Sequence, residues 1–462
     1  CGSTLQMNGE MTSFVLDRCE GIILKNLNID YKHPTQTEVE VLEEGKDYLI
    51  VQVHPTSQYR IVDEQLEWYG DGWSFKNGIA QSYDRASNMT WRSWSPMENL
   101  IRAVELRPNV LYLQYKEKPQ VGLHIVFQMR DSFRDEVSGF VNRSKNVQLE
   151  NLNFYYLGNF GVVCQYSENV TFDRCNFAPR PDSGRTNAGF ADFIQVSGCR
   201  GMIDIRNSRF SGAHDDPINI HGTHLAVTDF LSPNEIVVKY MHHQTYGFQS
   251  FLPGNEIEFI DPYSLLPLAS FKVKKSKMKS EREIIVTLDK SVPDSIRKKP
   301  ELVIENVTYT PEVIIRNNFF SRIPSRGLLV STRRKILIEN NTFFRMQMSG
   351  ILIADDARSW FESGMVRDVT IRNNNFIECN EPVILIAPEN SQNKGYVHRN
   401  ITIANNRFKL IGKNAVSARS VDGLKINGNL FLHPEAINIE GLITTTDCQN
   451  VIIKDNIIEK NY

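Results

Sequence analysis

One strand-sized pattern recurs along the chain: apolar residues at alternate positions, then Asn, then a turn, then Phe. It reads Ile22-Ile-Leu-Lys-Asn-Leu-Asn-Ile29, Val147-Gln-Leu-Glu-Asn-Leu-Asn-Phe154 and Ile203-Asp-Ile-Arg-Asn-Ser-Arg-Phe210. It returns as Val313-Ile-Ile-Arg-Asn-Asn-Phe-Phe320, Ile336-Leu-Ile-Glu-Asn-Asn-Thr-Phe343, Val369-Thr-Ile-Arg-Asn-Asn-Asn-Phe376 and Ile401-Thr-Ile-Ala-Asn-Asn-Arg-Phe408. Alternation with period two predicts strands with one face inward. Asn tolerates the left-handed backbone of a turn, and its amide can stack on the Asn of the next rung. The Phe after the turn is placed to fill a core. Copies 23 to 33 residues apart are too short for independent domains, so each is one coil of a solenoid. Parallel rungs of this kind predict an all-β fold, a right-handed parallel β-helix. The longer coils carry extra loop residues on one side, where a solenoid usually places its binding site.

Two intervals are too long for loops. Both read as strands and turns, for example Tyr48-Leu-Ile-Val-Gln-Val53 in the first and Glu283-Ile-Ile-Val-Thr-Leu288 in the second. Each is long enough for a small antiparallel domain inserted into the helix. The expected organisation is β-helix over 1–30, a β-barrel-like insertion over 31–140, β-helix over 141–223, a second β-barrel-like insertion over 224–310, and C-terminal coils over 311–462. The Lys-rich stretch Lys272 to Lys279 is read as a solvated hairpin, not a nucleic-acid patch.

Within this frame, three carboxylates attract notice. Asp215 and Asp216 stand just before the apolar strand Ile218-Asn-Ile220, and Asp192 stands before Ile194-Gln-Val196. Aligning the strands gives an offset of 24 residues and registers Asp192 with Asp216. On adjacent rungs, ~4.8 Å apart, the three carboxylates crowd one patch. Asp-Asp-Pro is also a common turn opener, and Pro217 holds Asp216 extended. Asp192 one coil away, with His214, His221 and His224 nearby, favours a site. Like charges in contact raise at least one pKa, as a general acid at neutral pH requires. Asp192 and Asp216 share the parity of the core residues, so a bend must turn them outward. Asp215, Gln195, Asn219 and His221 have outward parity unaided. By its outward parity, and because it sits between like charges that should raise its pKa, Asp215 is expected to be the acid, with Asp192 and Asp216 sharing the water as base. Gln195, Asn219, His221, Tyr246, Arg326, Trp360 and Glu362 are the expected substrate-binding residues; the loop aromatics are suited to the apolar face of a sugar.

Composition narrows the partners. A net charge of −2 over 462 residues implies neither a polyanion nor a membrane surface, and no apolar run approaches a membrane span. Seven cysteines without a Cys-x-x-Cys pair argue against zinc and suggest buried thiols. No metal or cofactor is expected. Because the sequence begins in solenoid register without an initiator Met, upstream coils and a targeting signal are expected. Cys1 is either a lipid acceptor or an arbitrary start.

The block Asp192-Phe-Ile-Gln-Val-Ser-Gly-Cys-Arg-Gly201, with Phe210-Ser-Gly-Ala-His-Asp-Asp-Pro-Ile-Asn-Ile-His-Gly-Thr-His224, resembles glycoside hydrolase family 110. So do His243-Gln-Thr-Tyr-Gly-Phe248, Arg326-Gly-Leu-Leu-Val-Ser-Thr-Arg-Arg334 and Asp355-Asp-Ala-Arg-Ser-Trp-Phe-Glu-Ser-Gly364. The resemblance runs from about Phe14 to the end. It implies a β-helix with two inserted β-barrels, and a metal-independent, inverting exo-α-galactosidase acting on terminal α-1,3-linked galactose in blood-group B or linear α-galactosyl glycans. It also implies a secreted, periplasmic or cell-surface bacterial enzyme, with a homodimer as one assembly to test. Gln195 is a departure, standing where His is expected in many relatives. The three-Asp arrangement is similar to that of polygalacturonases. Two other classes remain in view: a calcium-dependent polysaccharide lyase, which would make unsaturated products, and a non-catalytic carbohydrate-binding adhesin.

Overall fold

A computed structural model describes residues 2–134, 136–435 and 438–460; Cys1 lies outside them. The repeat folds as a parallel β-helix of three long sheets. The middle of each motif forms one sheet, as in Glu312–Arg316 paired with Lys335–Glu339. The Phe segment forms a second, as in Phe319–Ser321 paired with Thr342–Phe344. The third, here termed the site sheet, stacks Val137–Asn142, Phe160–Gln165, Ile194–Ser197, Ile218–Thr223 and Leu328–Val330 in that order.

The two Asn positions of the motif have different tasks. Asn317, Asn340, Asn373 and Asn405 take positive φ near +55° to +56° at the turn, a conformation Asn accepts more readily than most residues. The next Asn is buried and builds a ladder. The amide of Asn318 donates to Asn341, Asn341 to Asn374, Asn374 to Asn406 and Asn406 to Asn429, each at 3.0 Å. The Phe residues stack alongside, with Phe320–Phe343 centroids 4.8 Å apart and Phe343–Phe376 4.9 Å apart. Apolar burial on the inward faces fills the rest of the core and supplies most of the driving force. The cysteines Cys19, Cys164, Cys175, Cys199, Cys379 and Cys448 are free thiols.

The first insertion leaves after Asn28–Tyr31 and returns at Val137–Asn142. It is not one closed ladder. A seven-stranded antiparallel sheet and a three-stranded sheet, Gln58–Val62, Gln65–Gly70 and Trp73–Phe75, enclose a common core. Trp68, Trp73 and Phe75 of the smaller sheet supply part of that core, so the gap is sealed by side chains, not by strand pairing. The second insertion is a closed six-stranded antiparallel barrel between Leu225 and Asn306. Its long hairpin strand Pro267–Met278 carries the exposed lysines. No helix among the described residues is long and apolar enough to cross a membrane.

Candidate active site

Both insertions leave the β-helix at corners flanking the site sheet. Ile194–Ser197 and Ile218–Thr223 lie in the 24-residue register: Ile194 opposite Ile218, Gln195 opposite Asn219, Val196 opposite Ile220 and Ser197 opposite His221. Leu328 lies opposite Ile218 on the next rung, which brings Arg326 beside Asp216. The isoleucines and Val196 are fully buried in the core. Bends at Ala191 and Phe193, and at His214, Asp215 and Pro217, interrupt the strand alternation where the three aspartates lie.

One oxygen from each of Asp192, Asp215 and Asp216 lies within 4.8 Å of the others. Asp216 is sealed in and receives a fork from Arg326. Nε and Nη2 donate to its carboxylate at 3.0 and 2.7 Å, and the Arg326 backbone N–H donates at 3.1 Å. Asp215 is gripped from the other side by Arg92 at 3.2 Å and Arg134 at 2.9 Å. Asp192 is buried, and no hydrogen bond or ion pair ties its carboxyl among the described residues. Burial, then the charges of Asp215 and Asp216, push its pKa well above the usual carboxylate range. Burial also raises Asp216, opposed by Arg326. The expected upward shift thus falls on Asp192 and Asp216, the two carboxyls removed from water.

Three carboxylates this close are a donor set for a cation. Here Arg92 and Arg134 pair with Asp215 and Arg326 pairs with Asp216, while burial favours the protonated form of Asp192. The chain's own side chains neutralise the cluster, which leaves little electrostatic demand for a divalent ion.

The carboxylates open into a cavity of about 910 Å³. All ten expected site residues line it: Asp192, Gln195, Asp215, Asp216, Asn219, His221, Tyr246, Arg326, Trp360 and Glu362. Glu362 reaches the outward face of the site sheet, with Oε1 3.4 Å from Asn219 Nδ2 and 3.5 Å from His221 Nε2. Its strand, Glu362–Ser363, pairs with the end of Ile218–Thr223. The loop that delivers it is braced by two buried aspartates. Asp356 accepts the backbone N–H groups of Arg358, Ser359, Trp360 and Phe361. Asp355 meets His224 at 3.0 Å. Trp360 stays half exposed at 51%, with His242 of the second insertion 4.7 Å away by ring centroid. Tyr246 of the same insertion carries Arg282 over its ring at 4.2 Å.

Several lining residues escaped the sequence reading: Arg92, Arg134, Arg143, His242, Asp356 and Glu389. Asp356 had a signal, since Asp can accept backbone N–H groups of the turn that follows it. Arg92 and Arg134 had none, because they reach the site only through docking of the first insertion.

A parallel β-helix that gathers three carboxylates beneath a cavity with exposed aromatic rings is the frame of a β-helical carbohydrate-active enzyme. Family models agree across the chain: "GLAA-B beta-barrel domain I" at residues 36–125, "GLAA-B beta-barrel domain II" at 235–300 and "Right handed beta helix region" at 302–431. The chain is 68% identical to alpha-1,3-galactosidase A of Bacteroides thetaiotaomicron, over 100% of this chain and 82% of that protein. It is 39% identical to alpha-1,3-galactosidase A of Akkermansia muciniphila, over 92% and 71%. A family 28 exopolygalacturonase from Yersinia enterocolitica superposes over 70% of this chain and 48% of its own, at 11% identity and a TM-score of 0.36. The chain belongs to glycoside hydrolase family 110, and is a glycoside hydrolase of the galactosidase kind.

Proposed function

We propose that the protein removes terminal, non-reducing α-1,3-linked galactose from glycans of the blood-group B or linear α-galactosyl type, outside the cytoplasm, with inversion of the anomeric carbon. The names of the two relatives support the linkage. The observation that carries the chemistry is the unequal treatment of three converged carboxyls. Asp192 and Asp216, on adjacent rungs, both have raised pKa values. Such a pair shares one proton, as like charges in contact cannot both ionise cheaply. Its ionised member, steadied by Arg326, serves as base toward a water. Asp215 is the least buried of the three and serves as acid toward the leaving oxygen, with a proton it takes up when the glycan displaces Arg92. Arg92, 59% exposed in its side chain, is the contact a glycan at Asp215 competes with first.

Inverting pairs typically stand ~6.5–9.5 Å apart to admit water, and retaining pairs ~5–5.5 Å. Nearest oxygens within 4.8 Å therefore do not by themselves favour inversion. The third carboxyl does, since two can hold the water while the other protonates. Proton NMR of the first product from a terminal α-1,3-galactosyl oligosaccharide tests this directly: β-galactose is expected, and α-galactose as first product refutes it. A second reading, with Asp192 as the acid, is favoured by its more strongly raised pKa; leaving-group dependence separates the two.

A further inference from the structure

The first insertion turns a polar face toward the β-helix where an apolar one would be the ordinary solution. Gln81 lies opposite Gln128, and Gln128 opposite Glu38, on neighbouring antiparallel strands. Gln36 precedes Glu38 by two and shares its face. All four are buried, as is the residue they surround, His214, immediately before Asp215. Gln81 Nε2 donates to the His214 carbonyl at 2.7 Å. Gln36 Nε2 lies 2.6 Å from His214 Nδ1, and Gln128 Oε1 lies 2.9 Å from His214 Nε2.

The direction of each hydrogen bond follows from the far end of the chain of contacts. Glu38 accepts from the Thr186 hydroxyl at 2.9 Å. With its proton so used, Thr186 Oγ1 accepts from Gln128 Nε2 at 2.7 Å. The Gln128 carbonyl is then the end facing His214, so His214 Nε2 carries the proton and Nδ1 accepts from Gln36. Burial, with Arg134, Arg130 and Arg92 nearby, pushes the His214 pKa well below its ordinary value. The ring is therefore neutral and adds no further cation beside Asp215; its other close neighbour is the Phe190 ring, 6.2 Å away by centroid.

We infer that His214 is a positioning residue for catalysis: the Glu38–Thr186–Gln128 relay and Gln36 fix its neutral Nε2–H tautomer, and the fixed ring with Gln81 locks the bend that aims Asp215 into the cavity. The first insertion is then a part of the catalytic apparatus that never touches the substrate through these residues. This rests on the role proposed for Asp215.

The test is a double-mutant cycle on kcat and KM. Gln128→Met keeps the shape and removes the acceptor. It is expected to lower kcat roughly 10- to 100-fold, the scale of a misaimed reacting group, with KM within about twofold and a near-parental melting temperature. In a His214→Phe background the same substitution is expected to have no further effect, because residues acting as one unit are not additive. Parental kcat in Gln128→Met, a loss confined to KM, or an equal fall in both backgrounds would overturn the inference. If His214→Phe does not fold, Thr186→Val replaces it. It frees the Gln128 amide to flip and should lower kcat with KM retained; an unchanged kcat counts against the relay. Asp215→Asn in the same assay separates the two claims. Turnover retained there removes the role of Asp215 itself. Turnover lost there, with Gln128→Met normal, removes only the positioning role of His214.

Discussion

Asp216 and Arg326 are 110 residues apart in the chain and adjacent in the stack, joined by side-chain contacts of 2.7 and 3.0 Å and a backbone N–H at 3.1 Å. The closed barrel of the second insertion fills the sequence between them without disturbing the register of their rungs. Arg matters here for its planar fork, which a Lys ammonium cannot copy. Arg326→Lys keeps the charge and loses the fork. It is expected to lower kcat at least ~10-fold, the lower side of what a misplaced base costs. Steady-state kinetics with kcat at the parental level would show that charge alone suffices.

The buried Asp192 makes a statement about stability as well as chemistry. Its folded pKa is raised, so the native state keeps a proton that the unfolded chain releases near ~3.9. Between those two values stability falls as pH rises; below the unfolded value its contribution is fully present. Asp192→Asn removes the titration. Its melting temperature should gain on the parent as pH is raised from about 4 toward the raised folded value, even as activity is lost. A gap that stays constant or narrows with pH would contradict the burial argument.

Pairing of Asp215 with Arg92 and Arg134, and of Asp216 with Arg326, predicts metal-independent turnover. Activity after dialysis against EDTA should match that before it, and added calcium should change nothing. Loss on chelation that calcium restores would show instead that a bound ion completes the cluster.

Trp360 offers an exposed ring at the cavity wall, supported by His242 and a loop that Asp356 holds rigid. An aromatic face against a sugar is an association contact more than a transition-state one. Trp360→Ala should raise KM roughly 5- to 10-fold, taking about 1–1.5 kcal/mol for such a contact, with kcat and melting temperature little changed. A fall in kcat at constant KM would place the ring in the chemistry.

What could be read from the chain divides along a physical line. The β-helix was legible because each coil repeats the same local bargain: alternate apolar residues, an Asn that accepts positive φ, and a Phe that stacks on its neighbours. Asp192 and Asp216 could be paired because they hang on that periodicity, which carries register across a turn. Arg326 was legible in the same way. Arg92, Arg134 and the glutamines around His214 were not. They belong to an inserted domain whose docking face has no period of its own, and Gln81 and Gln128 in a strand read as ordinary solvent-facing positions. The raised pKa was placed on Asp215 from sequence, because burial and ion pairing of each carboxyl depend on those same docking contacts.

The acid can be found by changing what the enzyme must protonate. A natural glycan leaves as a poor alkoxide and needs a proton at the bond that breaks; an activated aryl galactoside leaves as a stabilised phenolate and needs little help. If Asp215 is the acid, Asp215→Asn should lose at least ~100-fold in kcat on the oligosaccharide, within the usual range for general acid catalysis, and much less on a nitrophenyl α-galactoside. Asp192→Asn and Asp216→Asn act on the water and should lose comparable activity on both substrates. The reverse result, with Asp192→Asn rescued by the activated substrate and Asp215→Asn inactive on both, would make Asp192 the acid. Asp215, held between Arg92 and Arg134, would then be an electrostatic support for the developing charge.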